Sequence, residues 1–324
     1  MRQLTTSSLA VLVIGLVGIG RDAEPQGTGS GRCVRMAKRY VVSAIAFVAV
    51  LWFLPLAYSQ IRQPGALYDF DRKGEKPGPA PRRDISGIWL PADGAGVGTQ
   101  ANGAQMMPSD GRPEHELPFT PAGRAAFLAN KPSVGVTAVT PALTSDPVKG
   151  GVTRTGCDPV GFPRLALWNF RTTRIIQTPE NVVVLYMLNN KWRVIRTDQQ
   201  ELPREFDEPR WHGYSVGRWE DDYTFVAQTA GIDERTWIDA AGRPHGEALR
   251  VEERYQRVDR DHLLLTVTID DPEMYTKPWT ALRMSLRLQS PTFDIREMEC
   301  VPSETAAYNK AIALPAAGLT EGNK

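Results

Sequence analysis

Residues 211–272 read WHGYSVGRWEDD (211–222), YTFVAQT (223–229), GIDERTWID (231–239), PHGEALRVEERY (244–255) and LLLTVTIDDP (263–272). Short segments in which apolar and polar residues alternate are separated by polar turns such as Glu220-Asp221-Asp222. Alternation with a period of two is typical of antiparallel strands that bury one face. The stretch therefore predicts a series of hairpins whose polar and aromatic side chains gather at the turns.

The same pattern continues on both sides of this stretch. Strands are predicted at residues 85–90, 174–178, 182–188, 192–197, 214–219, 223–229, 249–258, 263–269, 282–288 and 295–300. No helical segments lie between them to carry parallel crossovers, so the pairing should be antiparallel. We expect a mainly β fold, an antiparallel up-and-down β-barrel of about ten strands. A barrel is preferred to a sandwich because closure removes exposed edges and leaves a cavity.

The barrel domain is expected to span residues 85–304, after a proline-rich tether at 60–84 and before a C-terminal tail at 305–324. One short helix is predicted at residues 121–130. Thr120 is placed to cap its first turn, and a proline follows at the first helical position. We expect this helix to pack against the sheet as a lid or plug.

Residues 1–59 have the character of a leader. Within them, residues 36–59 show the three parts of a signal peptide, which are a basic start at Met36, an apolar core and a small-x-small cleavage motif ending at Ser59. Translation starting at Met36 would fit this interpretation. The alternative is an uncleaved membrane anchor at residues 41–58. The protein is therefore expected to be exported, either periplasmic or secreted.

The cysteines agree with export. Cys33 lies in the leader, so Cys157 and Cys300 remain as a pair in the mature chain. In an oxidising compartment they should form a disulfide that fastens the ends of the sheet together. The alternative is two unpaired buried thiols. Neither a Cys-x-x-Cys motif nor a Cys/His cluster occurs, so no structural zinc site is predicted.

Charge and motifs limit the function classes. The 324-residue chain has a formal net charge of +1 and no long basic run, so no nucleic-acid partner is expected. A membrane contact is expected only through the N-terminal segment, if it stays uncleaved. The sequence contains no nucleophile elbow, His-Glu-x-x-His, Walker or haem-attachment motif, and we predict no metal and no cofactor.

One group of motifs carries a family resemblance. It comprises GYSVGRWEDD (213–222), TWID (236–239), GRPHGEALRV (242–251), TIDDP (268–272) and KPW (277–279). With these motifs the chain resembles a family of uncharacterised exported bacterial proteins, over most of the mature sequence. Asp221 stands where that pattern has glycine, and His212 where it has an aromatic or apolar residue. The strand architecture also resembles lipocalin-like barrels, by analogy alone.

His245 is the best catalytic candidate, together with the carboxylates Asp239 and Glu247 that are near it in sequence. An imidazole oriented by a carboxylate can act as a general base or bind a polar ligand group. The alternative is a histidine that braces its loop through backbone hydrogen bonds. His262 is expected in an exposed hairpin turn, and we do not assign a shared role to His212.

Two loops are expected to meet at one end of the barrel because each follows a strand that runs in the same direction. Their aromatic, acidic and basic residues form a candidate pocket mouth, which could instead be loop bracing. The charged strand at residues 250–257 presents a polar face that points either outward or into a cavity. The candidate ligand-binding residues are Trp219, Asp233, Arg235, Trp237, Arg250, Asp271, Tyr275 and Trp279.

Three functions remain open. The first is binding of a small, partly apolar molecule in the barrel cavity through its open end. The second is an isomerase, dehydratase or hydrolase that uses His245 with a carboxylate. The third is an interaction protein of the cell envelope, which would show a filled barrel and an exposed apolar patch.

Overall fold

Nine strands close into a barrel in a computed structural model of the chain. In chain order they are β1 (Gly87–Pro91), β4 (Thr173–Gln177), β5 (Asn181–Tyr186), β6 (Lys191–Arg196), β7 (Tyr214–Trp219), β8 (Thr224–Ala230), β9 (Arg250–Arg257), β10 (His262–Asp270) and β11 (Trp279–Leu288). Two further strands, β2 (Gly103–Ala104) and β3 (Met107–Pro108), form a separate two-stranded ribbon. Around the barrel the order is β1-β11-β10-β9-β8-β7-β6-β5-β4, and β4 pairs with β1 to close it.

The structure describes residues 76–92, 103–151, 156–167, 172–198, 201–203 and 205–319. All of them belong to one compact unit, which begins at Pro64. The predicted leader and most of the predicted tether lie outside the described residues. No helix within the described ranges is both long and apolar enough to cross a membrane.

The odd number of strands has a geometric consequence. Neighbours that alternate in direction around a closed ring must be even in number, so a ring of nine needs one parallel pair. That pair is β6 and β7, and it is short: only Ile195 with Ser215 and Arg196 with Val216 are in register. By contrast, β9 and β10 pair over eight positions, from Leu263 with Arg257 to Asp270 with Arg250. We call the β6–β7 junction the seam.

The mainly antiparallel barrel confirms the predicted fold class, and the in-and-out alternation explains its core. In β10, Leu263, Leu265, Val267 and Ile269 point inward and are fully buried, as the sequence pattern predicts. One predicted strand is wrong. Residues 295–300 form no strand, and only Met298 makes a single bridge, to Leu188. The count is therefore nine instead of about ten.

The other elements lie at the ends and sides of the barrel. Helix α1 (Pro121–Ala129) is confirmed, with the Thr120 hydroxyl accepting a hydrogen bond of 3.0 Å from the Gly123 amide. Short 3₁₀ turns cover Pro113–His115 and Pro141–Leu143, and α2 covers Arg164–Leu167. The predicted tail is helical in part: α3 (Pro302–Tyr308) and α4 (Leu314–Ala316) flank a π-helical turn at Asn309–Ala313.

The predicted disulfide is confirmed. Cys157 and Cys300 are bonded, with their Cα atoms 5.4 Å apart and a sequence separation of 143. The bond joins the loop before β4 to the segment after β11. From Cys157 that loop continues to Phe162, whose amide donates a 2.9 Å hydrogen bond to the Trp211 carbonyl beside the seam. The disulfide therefore anchors a loop that supports the seam from inside.

Candidate functional site

His245, the predicted catalytic residue, is buried and held on both sides. Its Nε2 lies 2.7 Å from the Thr236 hydroxyl, and its Nδ1 lies 3.1 Å from the Gly246 carbonyl oxygen. Burial lowers the pKa of His245, and the Gly246 hydrogen bond and the charge of Asp271 oppose that shift only in part. A neutral imidazole bonded to a neighbouring hydroxyl and to backbone braces the loop between β8 and β9.

The two carboxylates named with His245 have other surroundings. Asp239 is fully buried, and its oxygens accept hydrogen bonds from Arg243 Nη1 at 2.9 Å, from the Ala104 amide at 2.8 Å and from the Ala241 amide at 2.9 Å. Glu247 is exposed. In place of the expected His–carboxylate pair, the structure gives His245 a hydroxyl partner and gives Asp239 an arginine, because the loop folds back to satisfy its own buried groups.

The two loops predicted to meet at one barrel end do meet. Asp271 accepts a 2.7 Å hydrogen bond from the Gly246 amide, and the Tyr275 hydroxyl donates a 2.8 Å bond to the Pro244 carbonyl. Helix α1 lies over the same end, where Phe119 packs between Phe127 and Tyr275 at ring distances of 5.2 and 5.3 Å. The predicted mouth is thus covered by the protein's own loops and helix.

Five of the predicted ligand-binding residues at this end, Asp233, Trp237, Asp271, Tyr275 and Trp279, are buried. Asp233 forms an ion pair with Arg235, whose side chain is 69% exposed and whose guanidinium carbon lies 4.5 Å from the centre of the Trp211 ring. Trp237 lies beneath the Arg164 guanidinium at 5.7 Å. Tyr275 and Trp279 pack edge to face. The structure brings these residues together as a packed network.

The two remaining candidates lie elsewhere. Arg250 is exposed on the outer face of β9, which carries Glu252 and Arg254 as well. This settles the direction of the charged strand, whose polar row faces outward. Trp219 is half-buried near the far end of β7 and packs against Phe225 with 5.4 Å between ring centres.

A cavity lies at the seam, and none of the residues that the sequence predicts as a site is among its described wall residues. Its volume is about 670 Å³, a size that suits a small organic molecule. It lies beside the two residue pairs that join the end of β6 to the start of β7. The walls of this seam cavity contain Pro159, Asn181, Asn190, Lys191, Trp192, Arg193, Val194, Arg196, Pro203, Arg210, Trp211, His212, Gly213, Tyr214, Ser215 and Val216.

The described walls of the seam cavity are aromatic and basic. Trp192, Trp211 and Tyr214 supply aromatic surface, and Trp192 is 62% exposed. Four cationic residues are present, Lys191, Arg193, Arg196 and Arg210, and no aspartate or glutamate is among the described wall residues. Arg196 is paired with Asp198, and Arg210 stacks on the Tyr214 ring at 4.0 Å.

His212 belongs to the same wall and is neutral at physiological pH. Burial, together with the positive charges of Arg193 and Lys191, lowers the pKa of His212 to about 4. Its Nε2 is buried and has no hydrogen-bond partner among the described residues. A neutral imidazole offers one donor and one acceptor, so this nitrogen is free for a hydrogen bond with a bound molecule.

Arg193 links the cavity to a polar cluster inside the barrel. Its side chain points inward, where Nη2 forms an ion pair with Glu253, and Glu253 also accepts a 2.7 Å hydrogen bond from the Tyr255 hydroxyl. The Phe162 ring lies 4.0 Å from the guanidinium carbon. Arg193 Nε and Nη1 and the Tyr186 hydroxyl are buried without hydrogen-bond partners in the described part of the chain.

Such unpaired donors are exceptional inside a protein. A buried N–H without a partner costs roughly 1–3 kcal/mol, so native interiors nearly always pair it with protein, water or ligand. Arg193 is 3% exposed and belongs to a cavity wall, and its two unpaired nitrogens make it a candidate group for binding an acceptor. Its ion pair with Glu253 holds the guanidinium in a fixed position.

The sequence contains a weak signal for this site. In the segment Lys191 to Arg196, alternation places Arg193 on the opposite face of the strand from Trp192 and Val194. In β9, Glu253 lies between Val251 and Tyr255 on the inward face. A charged residue at an inward position of each of two strands predicts a buried pair. The seam itself depends on the strand count, which the pattern gives only approximately.

A second cavity of about 540 Å³ lies beside the disulfide, between Pro141, Leu188, Met298 and helix α3. Its described wall residues include none of the buried unpaired polar atoms found elsewhere in the described ranges. Across those ranges, no group of three or more histidines, cysteines or carboxylates is arranged to hold a metal ion. The seam cavity is therefore the stronger candidate.

The chain matches no protein-family model, no curated protein and no solved structure. The resemblance to a family of exported proteins thus has no support from these comparisons, and the barrel fold is the part of that interpretation that stands.

Proposed function

We propose that this protein is an exported β-barrel that binds a small, partly apolar molecule in the seam cavity. The observation that carries the proposal is the cavity of about 670 Å³ with Trp192, Trp211 and Tyr214 in its walls and Arg193 at its base. Ligand sites are commonly concave and aromatic, with a few fixed polar groups. The ligand enters through the wall of the barrel at the seam, because the predicted mouth is covered.

Export is supported by the sequence of residues 36–59 and by the disulfide between Cys157 and Cys300, since such bonds persist in oxidising compartments. The expected mature protein begins at Gln60. Mass spectrometry of the protein recovered from the cell envelope or medium measures this terminus directly. A mature chain that retains residues from 1–59 would show that the leader is not removed.

An enzyme based on His245 is not proposed, because the imidazole is bonded to Thr236 and Gly246 and the loop covers it. The seam cavity offers a fixed cation and a neutral imidazole, which are binding groups. These contacts favour ligand binding over catalysis.

The test measures the binding of a neutral aromatic probe, 1-naphthylacetamide, by isothermal titration calorimetry. In the structure, Ile176, Val183 and Val194 form one outward-facing row across β4, β5 and β6. Val194 lies in the cavity wall and Ile176 does not. Val194→Trp should fill part of the cavity and weaken probe binding at least tenfold, whereas the matched variant Ile176→Trp should bind like the unmodified protein.

Both variants place the same large side chain on the outer face, so a general effect of tryptophan would appear in each. Equal affinity in both would move the binding site away from the seam. If the unmodified protein fails to bind the probe at millimolar concentration, the proposed function is wrong for molecules of this class.

A further inference from the structure

We infer that the molecule bound in the seam cavity is an organic monocarboxylate whose acid group pairs with Arg193. This inference rests on the proposed function and adds the chemical class of the ligand. It is carried by three features: the unpaired nitrogens of Arg193, the charge of the cavity walls and the position of Glu253.

The first feature is the unfinished hydrogen bonding of Arg193. A guanidinium has five N–H donors in a planar fork, and here Nη2 binds Glu253 while Nε and Nη1 have no described partner. Carboxylate oxygens are the acceptors that match this fork, with charge-assisted bonds about twice as strong as neutral ones. The side chain is 3% exposed, so an acceptor bound there is removed from competing water.

The second feature is the positive charge of the residues in the cavity walls. Lys191, Arg193, Arg196 and Arg210 lie in the cavity wall, and the described wall residues include no carboxylate. Arg193 is paired with Glu253 and Arg196 with Asp198, so the net positive charge comes from Lys191 and Arg210. His212 stays uncharged between these groups, with its pKa lowered by burial and by the charges of Arg193 and Lys191. A cavity with walls of one sign attracts an ion of the opposite sign and disfavours a cation.

The third feature, the position of Glu253, limits the negative charge of the ligand to one. Glu253 is fully buried and already bound to the same guanidinium. A single carboxylate would place Arg193 between two negative charges, each in contact with it. A phosphate dianion would add a further negative charge close to Glu253, and like charges in a buried site repel strongly.

The aromatic residues of the cavity indicate what the rest of the ligand is like. Trp192 and Trp211 offer flat apolar surface on the outer part of the cavity, and Arg193 is at its inner side. A molecule that fits has an acid group at one end and an apolar, preferably aromatic, body at the other. The Tyr186 hydroxyl, also unpaired, is a further donor beside Arg193 within the same cluster.

Three probes with the same ring test the class by calorimetry on the unmodified protein. They are 1-naphthylacetate, neutral 1-naphthylacetamide and dianionic 1-naphthyl phosphate. The expected result is that the acetate binds at least tenfold more tightly than the amide and more tightly than the phosphate. Raising the salt concentration should weaken the acetate only modestly, because the contact with Arg193 is buried.

A double variant tests the role of Arg193. Arg193→Met with Glu253→Gln removes the pair without leaving one charge buried alone, and it should bind acetate and amide with equal affinity, because the acetate loses its charge-assisted contact. The control is Arg254→Met with Glu220→Gln, which removes an ion pair from the outer face of β9. This control should keep the preference for the acetate.

The outcomes separate the two claims. Binding of the amide with no preference for the acetate overturns the monocarboxylate assignment and leaves the proposed function intact. Binding of none of the three probes argues against the proposed function itself. Tightest binding of the phosphate assigns the site to dianions and refutes the inference, and if the double variant does not fold, the probe series alone decides.

Discussion

Arg193 and Glu253 show at the scale of single residues how the site depends on a buried ion pair. Both side chains are almost completely buried, and each is the charge partner of the other. Removing one member of such a pair leaves an uncompensated charge and typically costs 3–5 kcal/mol, whereas replacing both is far less harmful. The pair therefore fixes the guanidinium in the cavity wall. Neither partner can be replaced alone without a large loss of stability.

The first prediction follows. Arg193→Met should lower the free energy of unfolding by roughly 3–5 kcal/mol, because Glu253 then remains buried without its cation. Adding Glu253→Gln should restore most of the loss, since glutamine still accepts the hydrogen bond from Tyr255. Urea unfolding at pH 7 measures both. Equal stability of the single and double variants would show that the two charges are not coupled.

His212 gives a prediction of pH dependence. Its pKa in the folded protein is about 4, below the ordinary value of 6.5, because of burial and the charges of Arg193 and Lys191. Between these values the unfolded chain binds a proton that the folded chain does not. Stability should therefore fall as the pH is lowered from 6.5 to 4, by roughly 3 kcal/mol from this group.

The check compares His212→Gln with the unmodified protein in urea unfolding at pH 7 and pH 4.5. The variant should lose less stability between the two pH values, because its glutamine does not titrate. His245, whose pKa is also lowered by burial, remains in both proteins and contributes equally to each. Parallel losses in the two proteins would mean that His212 titrates normally.

Among the elements, helix α1 offers a test of packing against the end of the barrel. A Cβ at Gly123 would lie 2.1 Å from the carbonyl oxygen of Met274, which also accepts a 2.9 Å hydrogen bond from the Thr120 amide. Gly123→Ala should therefore destabilise by about 1–3 kcal/mol, although alanine is normally favoured within helices by about 1 kcal/mol. Thermal unfolding measures the difference.

The control for this helix is Ala125→Gly, on its exposed side. It should cost about 1 kcal/mol from helix propensity alone. If Gly123→Ala instead raises the melting temperature, the helix is not in close contact with Met274, and the covered barrel end would need another explanation.

The seam is the shortest junction between barrel strands, since β6 and β7 share two residue pairs, β1 shares three with each of its neighbours, and β9 and β10 share eight. Amides of β6 and β7 that face the seam should exchange with solvent hydrogen through local opening. We expect protection at least about 100-fold lower there than at the centre of β10, with little dependence on denaturant. Hydrogen exchange followed by NMR measures it, and uniform protection around the barrel would contradict a weak seam.

The sequence predicts the elements well where alternation is unbroken. Residues 263–269 bury every second side chain as expected, Leu282, Met284 and Leu286 do so in β11, and Thr120 caps α1. The prediction of a strand fails at residues 295–300, where the alternating segment has no neighbouring strand with which to pair. The sequence also does not reveal which partners the candidate residues contact. His245 stands out in the sequence, but its role is set by Thr236, a contact made only when the loop folds back.

For the whole molecule, the seam follows from the number of strands. Losing the tenth predicted strand turns an even ring into an odd one, and an odd ring needs a parallel pair. Nothing in the local pattern of Lys191 to Arg196 or Tyr214 to Trp219 predicts that these strands are neighbours in parallel. Closure of the barrel is a property of all strands together, so the cavity at the seam could not be derived from any one of them.

The disulfide acts at this largest scale, since Cys157 and Cys300 join the loop before β4 to the segment after β11 across 143 residues. Replacing both with serine should lower the free energy of unfolding by about 3–5 kcal/mol, because the unfolded chain gains freedom when so long a loop opens. Urea unfolding measures the loss, and adding a reducing agent to the unmodified protein should reproduce it. The variant itself should not respond to that agent, which separates this bond from any other effect of reduction. Unchanged stability in the variant would mean that packing alone joins the two segments, so that the loop leading to Phe162 beneath Arg193 holds its place without the bond.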